Sequence, residues 1–433
     1  MSLHFYTYKS PYTSEFIQAK GSMGSLREGI LIEWKHSMGS AWGECAPLPG
    51  FSSESLNDCI KLLSSHKIKL EAQLNLIQAD WPLYESNYST FFDYTYAQRS
   101  THRLYSCIPT NLPSIQFALS MLVYDWGRQR DPRSLSYIIR DHANELAEKH
   151  AGSVLTSNRT GDSFSSTKIN EIQIPLNTLV PIASPEESLY LAQIAWSKGF
   201  KTIKMKVGPK HQLNLDRLAL IQDTLPEMKY RLDPNGQWEP ESLKPYEKEY
   251  QRFAIEYIEQ AVSPKNFTKF CLQLSSEAPA LAADESSVDF SSFTSLLGQV
   301  NMSYFVLKPT LSGGIPEMIQ RCVLAHKKKQ TCIFSSAFDG IITRHTLACL
   351  AWMSNQLAGH TFAHGLDTAR WLEEYYISPE CSLIAEIQQG NYSLKENYFD
   401  DQSHTTSPKY SSEVQCFDLF IARSGLTPIF EQK

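Results

Sequence analysis

The sequence predicts an α/β fold, a parallel (β/α) barrel of the TIM type preceded by a mixed α+β region. Three observations carry this expectation. From Glu171 onward, short runs rich in Val, Ile, Tyr and Phe alternate with helix-length segments, the pattern of βα units around a parallel sheet. Seven or eight such runs fall within roughly 200 residues, which suits a barrel better than a doubly wound sheet. No run is followed by G-x-G-x-x-G, and no G-x-x-x-x-G-K-[ST] occurs, so nucleotide-binding folds lose support. Composition agrees with a large buried core. Of 433 residues, 42% are hydrophobic and 20% charged, which excludes global disorder. The formal charge of −6 offers no basic footprint for nucleic acid. No apolar run is long enough to span a membrane, and the N-terminus lacks the features of a secretory signal, so the expected location is the cytoplasm. The nine cysteines are scattered without C-x-x-C, and they read as reduced, buried thiols.

Taken in order, Gly29-Ile-Leu-Ile-Glu-Trp34 and Gly39-Ser-Ala-Trp-Gly-Glu-Cys45 predict an extended pair joined by a glycine-containing turn. Ala46-Pro-Leu-Pro-Gly-Phe-Ser-Ser53 then predicts a rigid loop, with a helix starting after Ser52. The stretch 73–110 is aromatic and polar with weak periodicity, and it predicts no element. Leu112 to Trp126 carries a proline near its start and apolar residues at helical spacing, so it predicts a buried helix. Residues 150–170 are rich in Ser, Thr, Gly and Asn and predict a loop. The strand-like runs are Glu171–Asn177, Thr202–Val207, Tyr230–Asn235, Ile255–Val262, Leu281–Ser286, Tyr304–Thr310 and Thr331–Phe338. Thr361–Leu366 is a weaker eighth, and after Glu374 the pattern gives way to a polar tail. Phe117, Trp126 and Trp352 are expected in the core.

Charged residues recur at the ends of successive runs. Lys204-Met-Lys206, Asp233, Glu259, Asp284 and Lys308 are spaced by 27, 26, 25 and 24 residues (206 to 233, 233 to 259, 259 to 284, 284 to 308), each close to one βα unit. That register places them at the C-terminal mouth of the barrel, where barrel active sites lie. Three carboxylates on neighbouring strands suit a hard divalent cation that keeps open positions, which favours one Mg2+ ion, with Mn2+ as a substitute. Alternation puts Lys204 and Lys206 on the same interior face. A lysine crowded by a metal and other cations loses basicity and can act as a general base. Proton abstraction beside a carboxylate is therefore the expected chemistry, on a small-molecule carboxylate substrate. No H-x-x-H or H-E-x-x-H spacing points to a histidine metal site.

At these residues the sequence resembles the o-succinylbenzoate synthase family, in the muconate-lactonising branch of the enolase superfamily. The matching segments are Lys204-Met-Lys-Val-Gly208, Arg231-Leu-Asp-Pro-Asn235, Ile258-Glu-Gln260, Ala283-Asp-Glu-Ser286 and Leu307-Lys-Pro-Thr-Leu-Ser-Gly313. Phe334-Ser-Ser-Ala-Phe-Asp339, His364-Gly-Leu-Asp-Thr368 and Trp42-Gly-Glu-Cys-Ala-Pro-Leu-Pro-Gly-Phe-Ser52 extend the likeness. The resemblance implies a modified barrel with an α+β capping domain built from the N-terminal region and the C-terminal tail. Its implied bounds are 1–112 for the cap, 113–395 for the barrel and 396–433 for a segment returning to the cap, with insertions near 73–110 and 140–170. It implies that Lys206 removes the α-proton and then assists departure of hydroxide, with Lys308 stabilising an enediolate and Lys204 assisting by charge. Asp233, Glu259 and Asp284 would hold the metal. Arg27, Pro49, Phe51, Ser52, Asn235, Gly313, Ser335, Ser336 and Asp339 would contact substrate.

Two departures stand out. Asp339 and Gly340 replace an expected glutamate and serine, and Gln-Ala follows Glu259 where the family pairing ends in proline. Asp367 reads as a turn cap rather than a substrate contact. The same lysines and carboxylates also serve racemases, epimerases and cycloisomerases on this scaffold, and a silent scaffold is the reading of another class. Oligomeric state is not legible from the sequence.

Overall fold

A computed structural model describes residues 1–13, 25–87, 92–108, 112–131, 133–151, 171–373, 387–395 and 426–429. The chain opens with β1 (Ser2–Pro11), β2 (Leu26–His36) and β3 (Gly39–Cys45), three antiparallel strands in sequential order. The expected extended pair is the β2–β3 hairpin. The short strand Thr427–Pro428 adds to the free edge of β1. Ile30, Leu31, Ile32 and Trp34 are all buried, because β2 is covered on both faces. The predicted buried helix spans Pro113–Arg128 and lies against β3. Gly43 makes that approach possible, since a Cβ there would meet the Ala118 carbonyl oxygen at 2.2 Å.

The helix after the Pro-Leu-Pro loop runs much further than expected, over Leu56–Asn87. Ser55 starts it: the Ser55 hydroxyl accepts from the Asp58 N–H at 3.2 Å, and Asp58 accepts from the Ser55 N–H at 3.1 Å. Cys59, Leu63, Leu70, Leu74, Ile77 and Trp81 form its buried stripe. A second helix, Tyr94–Tyr105, follows. The region 73–110 that predicted no element is therefore largely helical. Its aromatics, which mask the 3.6-residue period, form a ring cluster: Trp81 lies 5.0 Å from Tyr96 and 5.8 Å from Trp126 between centroids. The helix Leu135–Ala151 likewise occupies the start of the expected 140–170 insertion, and the remainder lies outside the described residues.

The first predicted barrel run divides in two. β4 (Glu171–Pro175) pairs antiparallel with Asn391–Lys395, which in turn pairs with Ile387–Gln388. These strands also correct the reading of everything after Glu374 as a polar tail. The barrel proper starts at β5 (Asn177–Val180) and continues through β6 (Thr202–Lys206), β7 (Lys229–Asp233), β8 (Ile255–Glu259), β9 (Leu281–Ala283), β10 (Met302–Leu307) and β11 (Thr331–Phe334). All seven are parallel and neighbour each other in sequence order. The weaker eighth run forms no strand, yet it bridges the two sheet edges. The Asn177 N–H donates to the His364 carbonyl at 3.0 Å, and the Gly365 N–H to the Phe334 carbonyl at 2.9 Å. Tyr257, Ala282, Val306 and Ile333 fill the barrel interior. Cys45, Cys59, Cys107, Cys271, Cys322, Cys332 and Cys349 are free and buried, as expected, while Cys381 and Cys416 lie outside the described residues.

Burial pushes His142 and His345 down to about 4 and His364 to about 3. The unfolded chain takes up protons on these rings near pH 6.5, whereas the folded chain resists until well below that. Stability is therefore predicted to hold above pH 6.5 and fall as the pH drops from 6.5 toward 4, by about 2 kcal/mol per histidine at pH 5. Urea unfolding at pH 7.5 and pH 5 checks this; equal midpoints would refute it.

Candidate active site

The ends of β6 to β10 converge on a cavity of about 850 Å3, measured out to open solvent. Lys204 and Lys206 come from β6, and Asp233 from the end of β7 in direct register with Lys206. Asp284 and Lys308 follow the last residues of β9 and β10. Glu259 ends β8 and is 1% exposed. The repeat of 24 to 27 residues thus becomes a ring of side chains at one level of the barrel, because each βα unit returns the chain to that level one strand further round.

Opposite charges alternate around this ring. The Lys204 ammonium stands between Asp233 Oδ2 at 2.9 Å and Glu259 Oε1 at 2.7 Å. Lys206 Nζ donates to Asp233 Oδ2 and to Asn235 Oδ1, each at 2.6 Å. Lys308 Nζ donates to Asp284 Oδ2. Asp233 is buried, which would raise its pKa, but Lys204 and Lys206 hold it well below the usual carboxylate range. Burial lifts Glu259 to about 7, and the charges of Asp233 and Asp284 add to this against Lys204. Burial opposes the charge of Lys204 and Lys308, yet the facing carboxylates outweigh it and raise both. In this arrangement their immediate neighbours are anions.

Among the described residues, no three carboxylate, histidine or cysteine side chains already stand round one point as metal donors. The ammonium groups occupy the carboxylate oxygens instead. The donor chemistry nonetheless suits a hard cation: three buried carboxylates on adjacent strands, which offer oxygen ligands alone.

The loops around the ring are held in left-handed conformations. Asn235 has φ 50°, Gln260 42° and Phe338 57°. Asn235 repays the strain by donating its N–H to Asp233 Oδ1 at 2.9 Å. Gln260 receives the N–H groups of Asp284 and Ser286 on its Oε1, at 3.2 and 3.0 Å, and donates to Val262 O and Ser286 Oγ. The departure after Glu259 therefore does not leave that loop loose.

Of the residues expected to contact substrate, Phe51, Asn235, Ser335 and Ser336 line the cavity with the three lysines, Asp233 and Asp284. Arg27, Pro49, Ser52, Gly313 and Asp339 do not. Ser52 Oγ accepts from the Leu48 N–H at 2.8 Å and so shapes its own loop. Gly313, at φ 121°, ends the short helix Pro309–Ser312. Asp339 is buried and accepts from Thr310 Oγ1 at 2.8 Å and the Ala337 N–H at 2.7 Å. Sequence reasoning missed Asn177, Leu179, Glu285, Ala337, Phe338, Gly365, Thr368 and Trp371 on the cavity wall, and it read Asp367 as a turn cap although it lines the cavity too. Asp367 also accepts from Thr178 Oγ1 at 2.5 Å, and burial raises its pKa. Glu285, beside Asp284, was findable by adjacency. The others depend on barrel closure and cap docking, which no local pattern encodes.

Arg27 has a different position from the expected one. It is 1% exposed and donates to the carbonyls of Ala46, Pro47 (2.7 Å) and Glu28 (3.1 Å) in the cap, and of Phe338 (2.9 Å) in the barrel. Glu44 on β3 makes the companion contact. Its carboxylate accepts from Gly340 N–H at 2.7 Å and Thr343 N–H at 3.0 Å, capping the barrel helix Ile341–Ala358. Gly340 has no side chain to do this, so the cap supplies it. Arg27→Met is predicted to leave buried carbonyls unpaired and lower stability by about 2–4 kcal/mol, read by chemical denaturation. A change under about 0.5 kcal/mol would show that the latch does not matter.

Comparison with known proteins gives a consistent picture. Residues 189–382 match the family described as enolase C-terminal domain-like, and residues 1–83 match the MenC N-terminal domain. An o-succinylbenzoate synthase from Thermosynechococcus vestitus is 24% identical over 371 residues, covering 84% of this chain and 91% of that protein. Among solved structures, MenC from Desulfotalea psychrophila superposes with TM-score 0.65 at 17% identity, covering 91% of this chain and all of the other, 100%. A substrate-liganded L-Ala-D/L-Glu epimerase from Bacillus subtilis superposes with TM-score 0.67 at 17% identity, covering 90% and 95%. These structural likenesses establish the modified barrel with its cap.

Proposed function

We propose that this chain, an enzyme that resembles the o-succinylbenzoate synthases of the enolase superfamily, carries out a Mg2+-dependent syn dehydration. The substrate in this reading is 2-succinyl-6-hydroxy-2,4-cyclohexadiene-1-carboxylate and the product o-succinylbenzoate, in menaquinone biosynthesis. Residues 1–112 would form the cap, 113–395 the catalytic barrel, and 396–433 the segment that returns to the cap. The observation that carries the reading is the pair of lysines, Lys206 on β6 and Lys308 after β10, four strands apart on one cavity. In a closed barrel, that separation sets them on facing walls.

Asp233, Glu259 and Asp284 would hold one Mg2+ ion, which supplies positive charge against the negative charge that develops on a substrate carboxylate. Lys206 as the free amine takes the α-proton on Nζ. Asn235 and Asp233, both at 2.6 Å, hold that nitrogen in place. The electron pair of the broken C–H bond passes through the enediolate and expels the hydroxyl from the ring. Lys206, now the ammonium, gives its proton to the departing hydroxide, so the products are the aromatic acid and water. Lys308 faces the developing charge from the opposite wall, and Lys204 adds positive charge beside Asp233 and Glu259. Phe51 and Leu48 from the cap loop line the cavity and, against a bound substrate, would limit water.

The second reading, an epimerase of dipeptides or N-acylated amino acids, is favoured by the likeness to the L-Ala-D/L-Glu epimerase and uses the same facing lysines. Turnover separates the two. Purified protein with Mg2+ is expected to aromatise the cyclohexadiene substrate, followed by ultraviolet absorbance, and EDTA to abolish it. No aromatisation, with epimerisation of L-Ala-L-Glu instead, would overturn the dehydratase reading. Lys206→Ala is expected to cut kcat by about a thousandfold or more while leaving Mg2+ affinity largely intact. A fully active variant would refute the assigned base.

A further inference from the structure

Asn177 opens β5, and it lines the cavity although it is only 6% exposed. The Arg231 guanidinium donates from Nη1 to Asn177 Oδ1 at 2.8 Å. A guanidinium has donors and no acceptor, so the amide end that meets it must be the oxygen. The amide nitrogen therefore points away from Arg231. Its two N–H donors meet no hydrogen-bond acceptor among the described residues, and the nitrogen opens onto the cavity. A donor that opens onto a cavity in this way is available to an acceptor on a ligand.

The surrounding charges narrow the ligand. Arg231 is fully buried, and its charge is answered by Glu256 at 2.7 Å. The lysines that line the cavity are each bound to a carboxylate at the strand ends. Arg231 already has Glu256 as its counter-ion, although its Nη2 meets no acceptor among the described residues, so a neutral carbonyl oxygen, which needs only a donor, is favoured over a second buried carboxylate. Strand pairing sets Leu179 level with Lys204 and Asn177 level with Thr202, two residues further into the barrel. The donor thus lies deeper than the lysine ring, on the wall beside it.

We propose that Asn177 is a substrate-binding residue whose amide donates to a neutral carbonyl oxygen of the substrate. In the dehydratase reading, on which the identity of the ligand rests, that oxygen is the ketone of the succinyl arm. The residue then helps to select acyl-bearing substrates.

Asn177→Asp has nearly the same shape and keeps an oxygen for Arg231, but it replaces the donors by an acceptor. Calorimetric binding is measured with Mg2+ present for o-succinylbenzoate and for its analogue with a methylene in place of the ketone. The added charge of the aspartate acts on both probes, so it cancels in the comparison. Asn177→Asp is expected to weaken o-succinylbenzoate about ten- to hundredfold more than the analogue. Asn177→Leu, which is neutral, is expected to show the same selective loss. Equal losses for the two probes, or none, would overturn the inference. If the wild type binds L-Ala-L-Glu and not o-succinylbenzoate, the dehydratase reading fails on its own. The same comparison between that dipeptide and its analogue lacking the peptide carbonyl then decides the role of Asn177.

Discussion

Three carboxylates and three ammonium groups at the mouth of one barrel are the constraint on which this structure turns. Asp233, Glu259 and Asp284 are nearly sealed from water, and buried charge of one sign is costly without a counter-charge. Lys204 meets this by bridging two of them, Lys206 by sharing Asp233, and Lys308 by holding Asp284. The balance is uneven. Burial pushes Glu259 toward neutrality, while Lys204 and Lys206 hold Asp233 ionised. A site of this kind is stable only if its geometry is supported from behind, and much of the surrounding fold supplies that support.

Two levels of support are visible. Within the barrel, Arg217 donates to the Lys206 carbonyl at 2.7 Å and to the Pro181 carbonyl at 2.7 Å, tying the end of β6 to the end of β5. Gln260 ties the end of β8 to that of β9 by the backbone of Asp284. Between cap and barrel, Arg27 and Glu44 fix the segment from Phe338 to Thr343, whose preceding residues Ser335 and Ser336 face the cavity. The cap therefore contributes more than a cover. It donates the carboxylate that caps a barrel helix and the guanidinium that sets a cavity loop. Asp339 and Gly340 fit this arrangement as they stand: the shorter carboxylate is satisfied by Ala337 of its own loop and by Thr310 after β10, and the glycine leaves its N–H open to Glu44.

The central ring was legible in the sequence because a barrel converts chain distance into angular position. Lys206, Asp233, Glu259, Asp284 and Lys308 recur at one βα spacing, and strand alternation places them inward. The β2–β3 hairpin and the helix Pro113–Arg128 were legible for the same reason, being local periodicities with turn or proline punctuation. The rest was not. Trp81, Phe92 and Tyr96 look like noise along the chain and become a ring cluster only when Trp126 packs among them. Glu171–Asn177 reads as one strand, yet Pro175 ends its first sheet and Asn177 begins the second. Arg27 has the residue type of a substrate contact and the burial of a structural one, and only the carbonyls of Pro47 and Phe338 distinguish the two.

The account's central claim is that the buried carboxylates of this ring form one cation site, with the lysines as its charge partners. Its most direct test is calorimetric titration of the metal-free protein with Mg2+, beside the Asp284→Asn variant. One ion bound per chain by the wild type, with affinity reduced at least tenfold in the variant, is the predicted result. No saturable binding to the wild type, or equal affinity in both proteins, would contradict it.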